Sequence, residues 1–436
     1  MINESQIEFL TERLVERINK ANIFFYKKIG SALKQIKELT PSQAQQLVQI
    51  LKYGGNYDEI VRQIAKYTDL NIQDIDNIFN SYAKRDQLFY EKFYKYRNIP
   101  FVPFAENTAL KMQTRALANI VKNEMYNYAR TNLLGFTING KFMNLRDTYN
   151  YVLDEALLNV SQGKETFDSS MRRILKDIGG SGLKTVDYKS GRQVRLDSTV
   201  RMHLKSKLRE LHNELQKIYG EEFGADGVEI SAHENPADDH ENVQGRQFSN
   251  EEFDKLQNGG VAVDYKGKAY SLDHDDNGSH RPISEMNCYH YIFSIVLGVS
   301  EPTYTDEELQ KKIDDNNKGF ELDGKHYSLY EGTQLQRQLE RAIREQKDIQ
   351  ILAKSSDDIE LVGTAQSNIT KLTQKYKELS QVSGLPAKMK RLTVSGYKRV
   401  AKSKLKWYNV IGSWYLWIFQ SVTFIGSIEW VLQVDL

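Results

Sequence analysis

A chain of 436 residues with 40% hydrophobic and 27% charged side chains has the composition of a folded globular protein, which argues against a disordered or low-complexity chain. Fifty-nine Lys and Arg against 58 Asp and Glu leave a formal net charge of +1, so any contact with a polyanion must be local rather than a general basic coat. The one cysteine, Cys288, excludes an intramolecular disulfide framework and suits a reducing compartment. The first fourteen residues are charged and amphipathic and lack the features of a secretory signal, which predicts a protein made and kept in a cytoplasm.

The first hundred residues predict a helical array. Ile7, Leu10, Leu14, Ile18, Phe25, Ile29 and Ile36 recur every three or four positions. Thr40 before Pro41 marks a helix start, and Gly54-Gly55 its end. Asn71 and Asp74 predict the opening of another helix in capping-box fashion, carrying Ile75, Ile78 and Phe79. Pro100 and Pro103 bracket an extended break that predicts a boundary. Beyond it, helices are expected over 107–130, 146–160 and 167–178, with Gly179, Gly180 and Gly182 as a flexible joint.

Residues 184–196 read as a hairpin turning at Ser190-Gly191. Asp197 is expected to cap a helix whose stripe of Val200, Leu204, Leu208, Leu211, Leu215 and Ile218 should pack on a strand at 228–230. From there the texture is one of short strands and polar loops. A hairpin is expected over 261–272 around Lys266-Gly267, and another over 320–329 around Asp323-Gly324, a favoured type I′ pair. Helices return over 331–352 and 365–381, and Gly384 with Pro386 stops the second.

Five of the eight histidines (His233, His240, His274, His280 and His290) share a window with Cys288. Imidazole and thiolate are ligands that zinc prefers, so His233, His240, Cys288 and His290 form a candidate metal set. Their spacing is loose, no CxxC pair is present, and a polar loop region tied by histidine hydrogen bonds is the plainer reading. Asp238, Asp239, Asp273, Asp275 and Asp276 in the same stretch keep a divalent-metal or nuclease reading open. The motifs GxGxxG after a strand, GxxxxGK[ST], GxSxG and HExxH are all absent, and Cys288 two residues from His290 is weak ground for a nucleophile.

Arg337, Arg341 and Arg344 share a helical face, expected to be solvated and paired with Glu340 and Glu345. A denser basic run (Lys388, Lys390, Arg391, Lys398, Arg399, Lys402, Lys404 and Lys406) contains no acid and is a candidate contact for nucleic acid or an anionic membrane. It leads into 22 uncharged residues, 407–428, rich in Trp, Phe and Ile. That length matches a membrane span, but eight polar or glycine positions dilute it, and an interface tail is an equal reading.

Several ordered elements together resemble the phage minor capsid protein 2 family. The segment SGRQVRLDSTVRMHLKSK, followed by GADGVEISAHENPADDHENVQGRQFS, carries a short hairpin, a helix beginning "VR", a "VEISAH" strand end and a second histidine seven residues on. Asn287, Cys288 and His290 resemble an "NCRH" element in which Tyr289 here replaces the arginine, and Gly298-Val299-Ser300-Glu301 resembles "PGISE". Tyr330 and Glu331 with Gln334, Gln336, Arg337, Glu340, Arg341 and Ile343 resemble its "YE.TQ.QR..ER.IR" helix, and Gln113-Thr114 an upstream "QT" helix. The resemblance covers about 105–400 and extends distantly to the Mu F-type head morphogenesis proteins.

The expected fold is therefore mainly α-helical α+β: a helical region over 1–100, a minor capsid core over 104–384 with short strands and two closing helices, and a basic then apolar appendage over 385–436. The resemblance implies a non-enzymatic structural protein of a tailed-phage head or prophage, in host cytoplasm before assembly and in the virion afterwards. It would be oligomeric there, bound to the portal or major capsid protein and touching packaged double-stranded DNA. No cofactor is implied, with zinc at the histidine–cysteine set as the exception to test. Two other classes stay open: a metal-dependent nuclease or toxin-like effector, and a membrane-active protein used in genome delivery.

Overall fold

The computed structural model describes residues 4–130, 134–160, 162–186, 191–273, 279–285 and 288–400. Four helices come first: α1 (Glu4–Lys37), α2 (Pro41–Tyr53), α3 (Asn56–Tyr96) and α4 (Thr108–Arg130). Strands β1 (Leu134–Ile138) and β2 (Lys141–Asn144) lead into α5 (Leu145–Val160) and α6 (Lys164–Ser181), then β3 (Lys184–Val186), β4 (Gln193–Arg195) and α7 (Leu196–Phe223). A compact set of short elements follows: β5 (Gly227–Ile230), α8 (Asp238–Glu241), β6 (Gln247–Ser249), α9 (Asn250–Gln257), β7 (Ala262–Val263), β8 (Ala269–Tyr270) and β9 (Ile292–Ile295). The described chain closes with α10 (Asp306–Lys318), the hairpin β10 (Phe320–Leu322) and β11 (Lys325–Tyr327), and the long helices α11 (Leu329–Ser355) and α12 (Ile359–Ser383). This is a mainly α-helical α+β fold.

Local chemistry accounts for most boundaries. Thr40 accepts the Gln43 amide while Gln43 reaches back to Thr40, closing a capping box before Pro41. Asp323 and Gly324 both have positive φ (51° and 78°), as a type I′ turn between β10 and β11 requires. Antiparallel pairing gives the sheets β2-β1-β3-β4 and β6-β5-β9, the latter with Val228 opposite both Phe248 and Ser294.

Four local expectations are corrected. Asn71 and Asp74 do not open a helix, because α3 runs unbroken for 41 residues. Their side chains turn outward from α3 to α1 instead: Asn71 donates to the Leu14 carbonyl at 3.2 Å, and Asp74 accepts from Arg17 at 2.6 Å. Asp197 is not the cap of α7. Arg195 holds that position, and Asp197 lies inside the first turn, accepting the Ser198 amide at 2.8 Å. The leucine stripe of α7 is buried among α1, α3 and α4 and beneath β9, while Val228 and Ile230 of β5 belong to a separate core. Finally, Gly179 and Gly180 are helical, inside α6, and are not a joint. A Cβ at Gly179 would fall 2.6–2.9 Å from the side chain and backbone of Ile349, so α6 and α11 meet almost backbone to backbone.

One hydrophobic core holds Leu14 to Phe223 together with Ile349, Leu352, Leu361 and Val394. Its buried side chains come from both sides of the Pro100–Pro103 break. A smaller core around Ile230, Phe248, Leu256 and Leu272 belongs to the short-strand region. Across the main core runs a charged network. Arg195, under Gly182, donates to Asp348 at 2.7 Å and to Asp197 at 3.4 Å, and Arg344 stands 3.9 Å from Asp197. Burial lifts the Asp348 carboxyl to about 6 against the pull of Arg195. Burial opposes ionisation of Asp197 too, but there Arg195 and Arg344 prevail and hold it at about 2.

Removing one partner from such a network strands a charge out of water. Asp348→Ala is expected to lower stability by about 3–5 kcal/mol, read as an earlier urea midpoint at unchanged m-value. A loss under about 1 kcal/mol would mean that Asp197 alone satisfies the guanidinium. At Gly179 the sign of the effect decides between the two readings. A joint would be stabilised by Gly179→Ala by about 0.5–1 kcal/mol, since glycine is a poor helix residue. The close approach of Ile349 predicts a loss of about 1–3 kcal/mol instead.

Candidate functional site: a basic groove beside a histidine–cysteine cluster

The strand β5 and its neighbour β9 carry the cluster. Their ladder continues past Ile230 and Ile292 through a Ser231 amide bond to the Tyr291 carbonyl, 2.8 Å, and back from the Tyr291 amide to Ser231 Oγ, 2.8 Å. This register places the segment after β5, with His233, alongside the segment before β9, with Cys288 and His290. The short α8 then brings His240 onto them. His240, Cys288 and His290 are all buried, with ligand-capable atoms within 4.8 Å of one another.

The contacts are specific to single atoms. Cys288 Sγ lies 3.4 Å from His240 Nδ1 and 3.3 Å from His290 Nδ1, and it accepts the Ser284 amide at 3.2 Å. Ser284 itself is held with φ at 72°, its hydroxyl donating to the His290 carbonyl at 2.7 Å. His240 Nε2 donates to the Arg281 carbonyl at 2.7 Å, which fixes its tautomer and leaves Nδ1 as a lone pair facing the sulfur. Burial pushes the Cys288 thiol up and both imidazoles down, His290 well below the usual histidine range. All three groups are neutral as they stand.

His233 sits one step outward. Its ring lies over that of His290 at 4.4 Å between centroids, and its Nδ1 bonds the Glu234 carbonyl at 2.9 Å. His280 is elsewhere, donating to the Gln257 carbonyl at 2.9 Å. His274, Asp275 and Asp276 fall outside the described residues. Asp239 is taken up by Arg281 through two bonds of 2.9 and 2.7 Å, so it serves a guanidinium.

The cluster lines a groove of about 1170 Å³. The opposite wall is α11, where the expected solvated arginine face holds for Arg341, which is exposed, and is corrected for its neighbours. Glu340 is buried and accepts from Tyr376 at 3.1 Å, Arg344 is largely covered, and Arg337 reaches across to the Tyr289 hydroxyl at 3.1 Å. The covering comes from residues 385–400. Leu385, Leu392 and Val394 are buried, the Lys388 amide donates to the Tyr376 hydroxyl at 3.0 Å, and Arg391 approaches Glu340 at 4.0 Å. With the apolar positions turned in, Lys388, Lys390, Lys398 and Arg399 are exposed, while Arg391 is half-buried. Lys402, Lys404 and Lys406, and the uncharged run 407–428, lie outside the described residues. No helix among the described residues is long and apolar enough to cross a membrane.

Two features escaped the sequence reading. Tyr289 stands among three cations, Lys205, Arg209 and Arg337, each 5.5–5.9 Å from its ring centroid, so an aromatic face meets their positive charge. Beneath β9, His212 of α7 bonds Asp86 of α3 at 3.0 Å through Nδ1 and the Ile292 carbonyl at 3.0 Å through Nε2. Both ring nitrogens face oxygen atoms on other segments, so the ring bridges α3 and β9. A lone histidine on an apolar stripe gives no hint of such partners. Asp86→Ala should cost about 3–5 kcal/mol and speed hydrogen exchange at the β9 amides. Slow exchange there in the variant would mean that the pair does not anchor the strand.

No curated protein and no solved structure matches the chain. One family model does, that of the phage minor capsid protein 2, over residues 2–380. It spans the helical region, the cluster-bearing strands and both closing helices almost to the end of α12. The chain therefore belongs to the phage minor capsid protein 2 family, structural proteins of the virion.

Proposed function

We propose that this minor capsid protein acts in head assembly beside the portal, as an oligomer bound to the portal or major capsid protein, with packaged double-stranded DNA meeting it along the basic strip at 388–399. The observation that carries the DNA contact is the arrangement of that strip. Burial of Leu385, Leu392 and Val394 holds Lys388, Lys390, Lys398 and Arg399 outward on a chain whose net charge is only +1. Arg337 and Arg341 line the adjoining groove. Fixed cations of this kind contact phosphates without reading sequence, which suits a protein that handles whatever genome is packaged.

Binding of the full chain to duplex DNA should be independent of sequence and weaken steeply with salt, by about −0.9 in log–log slope for each phosphate neutralised. Replacing Lys388, Lys390, Lys398 and Arg399 together by Glu should flatten that slope and abolish binding, while the thermal transition stays in place. Unchanged affinity would remove DNA from this face. Head association is a separate measurement. The wild-type chain should co-sediment with assembled heads, and sedimentation with tails alone would overturn the placement near the portal.

A further inference from the structure

The trio His240, Cys288 and His290 can be read as a hydrogen-bonded cluster or as a set of metal ligands. A thiol has one proton to give, and His240 Nδ1 is already committed as an acceptor by the bond from Nε2 to Arg281. If the thiol proton goes to His240, His290 must donate from Nδ1 to the sulfur, so the hydrogen-bonded trio needs one particular tautomer of His290. The buried Nε2 of His290 is without a partner as an acceptor there and equally as a donor in a metal-bound ring, so it favours neither arrangement. Meanwhile the sulfur collects two backbone amides, from Ser284 at 3.2 Å and His290 at 3.5 Å, a pattern that stabilises a thiolate more than a thiol.

Geometry offers the alternative. A tetrahedral zinc ion with a Zn–S bond of about 2.3 Å and Zn–N bonds of about 2.0–2.1 Å sets its S···N edges at about 3.5 Å. The two S···N edges here are 3.4 and 3.3 Å, and all three ligand atoms lie within 4.8 Å of one another. Second-shell support is present as well, since the Arg281 carbonyl orients the His240 ring in the way that ligating histidines are held. Thiolate with imidazoles is a soft, mixed donor set of the kind zinc takes, and Asp239, 3.8 Å from the His240 ring, is engaged by Arg281.

We propose that His240 Nδ1, Cys288 Sγ and His290 Nδ1 bind one zinc ion, with the fourth coordination position open to the basic groove and filled by water. His233 lies outside the ligand set, its ring tilted against that of His290. Binding converts the Cys288 thiol to thiolate and releases one proton to solvent, while both imidazoles bind as the neutral rings they already are. The ion ties the segment after β5 to the segment before β9, two stretches that few backbone hydrogen bonds join.

The test uses the full chain, stripped with chelator, reloaded with zinc or cobalt(II) and passed through gel filtration. One zinc per chain is expected, with about one proton released per ion when titrations are compared across buffers. Cobalt should give the intense visible bands of a tetrahedral site and a thiolate charge-transfer band. Cys288 is the only cysteine in the sequence, so that band reports this sulfur and no other. Cys288→Ala and His290→Ala should each lose the retained ion, and His233→Ala should keep it. Wild-type protein that elutes without zinc, its thiol still freely titratable in the presence of the ion, would overturn the proposal whatever the variants do. Loss of the ion in His233→Ala would overturn the open fourth position.

Discussion

Arg195 is placed where a charge can survive only if the rest of the protein is built around it. It ends β4, lies under Gly182 at the close of α6, and meets Asp348 from the middle of α11 and Asp197 from the first turn of α7. Three segments separated by up to 153 positions must therefore arrive together before the guanidinium is paired through Nε and Nη2; its buried Nη1 has no hydrogen-bond partner even then. Hydrophobic burial supplies the gross driving force, but it is non-directional and would accept many packings of α1, α7 and α11. The ion network accepts few. Arg344, one turn before Asp348 on α11, extends the same network towards the groove and ties core geometry to site geometry.

Periodicity made most of the helices legible, and turn chemistry most of the hairpins. Thr40-Pro41, Asp323-Gly324 and Gly384 act through their own backbone, so their effect can be read locally. The failures share a different cause. Asn71, Asp74 and Asp197 are residues that cap helices when nothing better is offered, and here a carbonyl or a guanidinium on another segment is offered. Gly179 reads as a hinge in isolation and is a contact surface once α11 is laid against it. The arginine face of α11 was seen at its correct spacing, but the return of residues 385–400 over it depends on pairings that spacing does not encode.

The cluster shows the same division. Its members could be collected from residue type alone, since five of the eight histidines and the one cysteine fall in one window. Sorting them required the fold: His240 and His290 face the sulfur, His233 lies outside, and His280 is engaged with α9. Tyr289 occupies the place of the arginine in the "NCRH" element that the segment resembles, and it presents an aromatic ring surrounded by Lys205, Arg209 and Arg337. A fourth cation in that place would be repelled, whereas the ring's negative face draws the three together.

The glycine contacts along α11 bear on the groove in one further way. Gly30 of α1 sits against Ser355, and Gly179 of α6 against Ile349, each at distances that leave no room for a Cβ. Side-chain packing between helices tolerates some twist, because side chains change rotamer. Backbone pressed on backbone does not. With two such points in its C-terminal half, α11 resembles a shaft keyed into its bearings, unable to spin about its own axis. Arg341 and Arg337 project from the N-terminal half of that shaft, roughly two to three turns away. The side on which the two arginines leave the helix is therefore fixed in part by residues far from the groove, and Arg337 is then held locally by the Tyr289 hydroxyl.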